Sequence, residues 1–140
     1  MRGRTFLDTN IFIYSLEHQE KRKSSIARQI IEDALKKSSG VISYQVVQEF
    51  INVSLRGFEV PFKPADRRYF LNSVMFPLTV VQPSYEFYMQ GLDIHENYRF
   101  SWYDSLIVAA ALQAECETLY TEDLQHGQKI GAMRIVNPFV

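Results

Sequence analysis

The sequence predicts an α/β domain built on a small, mostly parallel sheet. Three observations carry this. Short apolar runs alternate with longer segments of helical periodicity. Helical segments separate the strand-like runs, as parallel strands require. The 140 residues contain no internal repeat, low-complexity tract or Gly/Ser/Pro-rich linker, which predicts a single domain over 1–140. Hydrophobic residues at 46% and charged residues at 22% suffice for a packed core and weigh against disorder.

Taken in order, Thr5 to Leu7 reads as a short buried strand ending at Asp8. Ile11 to Leu16 reads as a helix capped by Asn10 or Thr9. Ser24 to Lys37 places Ile26, Ala27, Ile30, Ile31, Ala34 and Leu35 at helical spacing, with Gly40 available to close it. Val41 to Ser43 is a second strand, and Ser43 can cap a helix from Tyr44 to about Leu55, ended by Gly57. A loop over 58–64 contains Pro61 and Pro64. A helix from Ala65 to Met75 follows, then a strand from Leu78 to Val81 bounded by Pro77 and Pro83. Ser84 to Tyr98 and Ser101 to Ala114 are helical. Thr118 to Tyr120 is a fourth strand and Met133 to Val136 a fifth.

The formal net charge of −1 excludes a uniformly basic nucleic-acid-binding surface. It leaves RNA open as a substrate, because a metal ion and local basic runs can supply positive charge. Lys21, Arg22 and Lys23, and then Arg67 and Arg68, are such runs, and both also fit solvated helix faces. The single cysteine, Cys116, cannot form an internal disulfide and lies in an apolar stretch, which predicts a buried thiol and a reducing, cytoplasmic setting. Arg2 and Arg4 precede an apolar run, but Asp8 and Asn10 interrupt it, so no secretion signal is expected. No run reaches the ~18 apolar residues of a membrane helix.

Four acids stand out. Asp8 ends a buried strand, where a stiff backbone can hold a metal ligand; it also fits a turn or helix cap. Glu49 lies one turn from Val46 and Val53 at the border of an apolar helix face, where a carboxylate is partly desolvated; it also fits a surface position. Asp104 stands three residues after Ser101, the spacing of a capping box, ahead of the apolar run Leu106 to Ala111. Asp123 follows the fourth strand and also fits a turn. In open parallel sheets, sites form beyond the carboxyl ends of the strands, and three of the acids fall at strand ends or a helix start. So many carboxylates in one place repel unless a cation neutralises them, and hard oxygen ligands select Mg²⁺ or Mn²⁺. Such a cluster activates water and stabilises charge on a phosphate.

Other chemistries lack their residues. There is no phosphate-binding loop, dinucleotide fingerprint or nucleophile elbow. One Cys with His18, His95 and His126 gives no zinc pattern. His126 is close enough to Asp123 to line the same cleft and also fits a plain loop position.

These residues resemble the PIN-domain family, and more narrowly the VapC-type toxin ribonucleases of toxin–antitoxin pairs, over essentially the whole chain. Asp8-Thr9-Asn10 is similar to the family's opening. Glu49 falls on its second acid and Asp104 on its third, in a Ser-x-x-Asp helix start. The stretch Leu119-Tyr120-Thr121-Glu122-Asp123-Leu124-Gln125-His126-Gly127, followed by a last strand and Asn137-Pro138-Phe139, is the most specific piece. The resemblance implies a PIN-like three-layer α/β/α domain. It implies an acidic site of Asp8, Glu49, Asp104 and Asp123 for Mg²⁺ or Mn²⁺, with Asp8 and Asp104 as direct ligands and Thr9, Asn10 and Thr121 in support. It further implies endonucleolytic hydrolysis of RNA by a metal-activated water, a homodimer, and inhibition by a cognate antitoxin reaching into the cleft. Gln125 stands where some relatives carry a further acid, which bears on a second metal. A housekeeping PIN nuclease in RNA processing and a non-catalytic PIN-like RNA- or protein-binding module are compatible with the same residues. The segment Tyr85, Phe87, Tyr88 is a candidate dimer surface and equally fits the core.

Overall fold

The computed structural model describes residues 3–58 and 62–140, apart from the side chain of Thr79. Strand β1 (Thr5–Leu7) leads into α1 (Thr9–Leu16) and α2 (Lys21–Lys36). Then come β2 (Gly40–Ser43), α3 (Tyr44–Arg56) and α4 (Pro64–Phe70), whose last turn widens to π geometry over Leu71–Met75. β3 (Thr79–Val81), α5 (Tyr85–Tyr98), α6 (Trp102–Gln113), β4 (Thr118–Tyr120), β5 (Lys129–Ile130) and β6 (Met133–Val136) complete the chain.

The strand order is β3-β2-β1-β4-β6-β5, parallel except for the edge strand β5. From β1 the chain builds outward through β2 and β3, then returns to the other side of β1 to lay down β4. The carboxyl ends of β1 and β4 therefore flank the point where the winding reverses, and a crevice opens there. Helices α1 to α4 form one layer: α1 packs on α2 and α3, and Phe70 of α4 meets Phe12 and Phe50. Helices α5 and α6 pair as the other layer, α6 against β2 and β4. The expected three-layer α/β/α arrangement holds.

Residues Ser105 to Ala111 of α6 are all buried. A helix apolar all round must be enclosed, and Ala109, Ala110 and Ala111 let it approach the sheet closely. Phe6, Leu7, Ile42, Leu119 and Ile135 fill the sheet's two faces.

Several expectations are corrected. Helix α1 begins at Thr9, and its cap is Asp8, whose carboxylate accepts the Thr9 N–H at 2.7 Å. Ser43 stands at the start of α3, but its hydroxyl makes no capping bond. Helix α2 closes on Ser38 in left-handed geometry (φ +52°), with Ser39 N–H donating to the Ala34 carbonyl at 3.0 Å. Gly40 instead serves β2, since a Cβ there would stand 2.7 Å from Leu78 Cδ2 and 2.8 Å from Ala34 Cβ. Pro64, expected in the loop, opens α4, where its missing N–H has no helical role. The rest of that loop includes 59–61, outside the described residues. The two-residue strand β5, paired with β6 around Gly131 (φ +59°), was not expected.

Candidate functional site

Each acid reaches the crevice from a different element. Asp8 follows β1, Glu49 lies on α3, Asp104 in the first turn of α6, and Asp123 after β4. All four line one cavity of about 600 Å³, together with Thr9 and Asn10. Thr121 stands behind this wall: its hydroxyl donates to Asp8 Oδ2 at 2.8 Å and accepts the Asp123 N–H at 3.1 Å. One buried hydroxyl thus orients two acids. Thr9 donates its hydroxyl to Glu49 Oε1 at 2.7 Å. The Ser101 hydroxyl accepts the Asp104 N–H at 3.2 Å and fixes the start of α6.

Asp8 is only 5% exposed. Burial is the main reason its carboxyl is pushed up to about 7; bonds from Thr121 and Thr9 oppose this, and the charges of Asp123 and Glu49 reinforce it. The Asp123 carboxyl is also raised, first by desolvation and then by Asp104, Glu122 and Glu49. The carboxylates therefore feel one another across the cavity.

Sequence reasoning missed part of the wall. Glu17, Glu20 and Glu122 also line it, so among the described residues seven carboxylates face this space: Asp8, Glu17, Glu20, Glu49, Asp104, Glu122 and Asp123. Glu122 accepts from the Tyr14 hydroxyl at 2.5 Å and pairs with Lys23 at 3.3 Å, and Lys23 lies 4.7 Å from the Tyr14 ring centre. The only advance signal was the position of Glu122 beside Asp123. The basic runs are partly engaged elsewhere: Arg22 donates to the Phe139 carbonyl at 2.8 Å and Arg67 to the Ser54 hydroxyl at 2.8 Å. His126 is a loop residue, its Nδ1 accepting the Asn137 N–H at 2.9 Å. Cys116 is buried, and burial pushes its thiol up to about 12.

Among the described residues, no three His, Cys, Asp or Glu side chains come together as a group that could hold a metal ion. The donor set still fits a hard cation: every carboxylate offers oxygen, and Asn10 Oδ1, in the same wall, is buried with no hydrogen-bond partner. Asp8, Glu49, Asp104 and Asp123 are the carboxylates that would be available to such an ion.

The family model of the PIN domain matches residues 5–129. The chain belongs to the PIN-domain family. A comparison with curated protein sequences returns no match. Among solved structures, this PIN domain is similar to a toxin–antitoxin complex from Klebsiella pneumoniae, with 17% identity, TM-score 0.70, and 96% of this chain and 97% of that chain covered. It is similar to VapBC2 from Rickettsia felis bound to a promoter DNA fragment, with 18% identity, TM-score 0.66 and coverage of 94% and 96%. It is also similar to Mycobacterium tuberculosis VapC20, a toxin that cleaves the sarcin–ricin loop, with 14% identity, TM-score 0.61 and coverage of 85% and 91%. At these identities the likeness is one of fold. No described helix is long and apolar enough to cross a membrane.

Proposed function

We propose that this PIN domain is a metal-dependent endoribonuclease and the toxin of a toxin–antitoxin pair. The observation that carries the reading is the arrival of Asp8, Glu49, Asp104 and Asp123, from four separate elements, on one cavity at the winding reversal. Seven carboxylates around that space would repel an RNA phosphate unless cations intervene. Mg²⁺ or Mn²⁺ would supply the neutralising charge and the Lewis acidity that phosphodiester hydrolysis needs. Thr121 and the Thr9 N–H hold Asp8 in one orientation, and Thr9 holds Glu49, so the ligands are set before substrate arrives.

The toxin role, over a housekeeping nuclease, is supported by likeness along nearly the full length to structures of toxins and toxin–antitoxin complexes. An antitoxin partner, a homodimer and a cytoplasmic location belong to the same proposal. The presence of all four acids speaks against a non-catalytic module. The deciding experiment is RNA cleavage with Mg²⁺ or Mn²⁺ by wild type and Asp8→Asn, paired with growth arrest on induced expression of wild type and Asp104→Ala. Cleavage only by the wild type and arrest only by the wild type are expected. Equal cleavage by Asp8→Asn would remove the active-site assignment.

A further inference from the structure

A second cleft, of about 280 Å³, opens beside the acidic cavity at the carboxyl end of β2. Gln45 and Tyr103 belong to both walls, and the Gln45 side-chain amide donates to the Tyr103 carbonyl at 3.2 Å, forming the ridge between the two. The chemistry changes across that ridge. Among the described residues, the acidic cavity presents seven carboxylates, whereas no charged side chain lines the second cleft. Its walls offer the rings of Tyr44, Tyr88, Trp102 and Tyr103 and the amide of Gln48. Tyr103 is 64% exposed, so this aromatic surface is open to solvent.

At the base of the cleft lies Ser43, 4% exposed, whose Oγ is buried and has no hydrogen-bond partner. A buried hydroxyl left unsatisfied costs free energy unless a ligand completes it. Flat aromatic faces and amide groups, with the buried Ser43 hydroxyl beneath them and no charge among the described lining residues, suit a nucleobase: rings stack on its face and polar groups meet its edge. Single-stranded RNA presents unpaired bases in this way, one step along the chain from a phosphate.

We propose that this cleft is a base-binding subsite, which seats one nucleobase of single-stranded RNA beside the phosphodiester held at the acidic cavity; the choice of RNA as ligand rests on the ribonuclease reading. The cleft would then set which base flanks the cut.

The test uses uncharged ribonucleosides without divalent ions, so neither phosphate nor catalysis is involved. Trp102 is the only Trp in the sequence, so its indole N–H gives a single NMR signal from the cleft wall. Titrating adenosine, guanosine, cytidine and uridine should shift that signal saturably for at least one of them, while ribose 5-phosphate should leave it unmoved. Tyr44→Ala should weaken the effect about tenfold, the scale of one lost stacking contact. Ser43→Ala should weaken it while leaving the melting temperature equal or higher, since it removes an unsatisfied hydroxyl. The proposal is overturned if no nucleoside moves the signal, if both variants respond as wild type does, or if the signal instead moves with protein concentration, marking a second copy as the occupant. A nucleoside response in a chain that cleaves no RNA would keep the subsite and remove the nuclease. Asp8-dependent cleavage with no nucleoside response would do the reverse.

Discussion

Replacing Asp8 by Asn should make this protein harder to melt at pH 8 in the presence of a chelator. The Asp8 carboxyl is moved from 3.8 to about 7, chiefly by burial. Between those two pH values the folded chain holds a proton that the unfolded chain has lost. The contribution of Asp8 to stability is therefore fullest below about pH 4, declines as pH rises, and levels off above about pH 7. At about 1.4 kcal/mol per pH unit, the ceiling on this loss is about 4 kcal/mol. Asn carries no charge to desolvate, and its Oδ1 can still accept the Thr9 N–H. It also relieves the repulsion from Asp123 and Glu49. Allowing for an imperfect bond to Thr121, a gain of about 1–3 kcal/mol is expected, or roughly 3–10 °C in melting temperature for a domain of this size. Thermal melts of both proteins from pH 4 to pH 8.5, with EDTA and then with millimolar Mn²⁺, provide the assay. The gap should be small at pH 4 and widest near pH 8. Mn²⁺ should close it by stabilising the wild type, with little effect on Asp8→Asn. If Asp8→Asn melts below wild type at pH 8 in EDTA, or if Mn²⁺ raises both equally, the account of Asp8 as a strained cation ligand is wrong.

Three further outcomes follow from the geometry. Gly40→Ala places a methyl group against Leu78 and Ala34, and should cost about 1–3 kcal/mol in urea unfolding. Phe50→Ala removes a fully buried ring stacked on Phe70, and should cost about 3–5 kcal/mol in the same measurement. Cys116, buried with its thiol pushed up to about 12, should resist thiol reagents at pH 8 in the native protein and react at once in denaturant.

Strands with two buried faces announce themselves. Thr5–Leu7 and Val41–Ser43 were legible because each is a compact, largely buried run, whereas Met133–Val136 alternates around the exposed Arg134. The two residues of β5 are too few to carry a period, so that strand was invisible. Gly40 attracted attention for the wrong reason. Its neighbour Ser38 takes the left-handed turn, and the glycine answers a close approach between β2, Ala34 and Leu78 that only the folded chain contains. Asp8, Asp104 and Asp123 were legible as strand ends and a helix start, Glu49 only as a carboxylate bordering an apolar helix face, and the PIN-like resemblance brought the four together. The Tyr14–Glu122–Lys23 group was not, because Glu122 stands 108 residues from Tyr14 and 99 from Lys23 in sequence. Nor was the aromatic cleft. Tyr44 and Trp102 look like ordinary first-turn residues until the starts of α3 and α6 meet at the carboxyl edge of the sheet.

The placement of β1 at the middle of the sheet has a consequence for biosynthesis. Asp8 is made before its partner Thr121, which lies 113 residues later across the β1–β4 pairing. Until that distant strand emerges, the acids cannot face one another. Under the proposed ribonuclease reading, the chain would stay harmless while nascent, and chains cut short before β4 would be inert. Arming would coincide with completion of the fold.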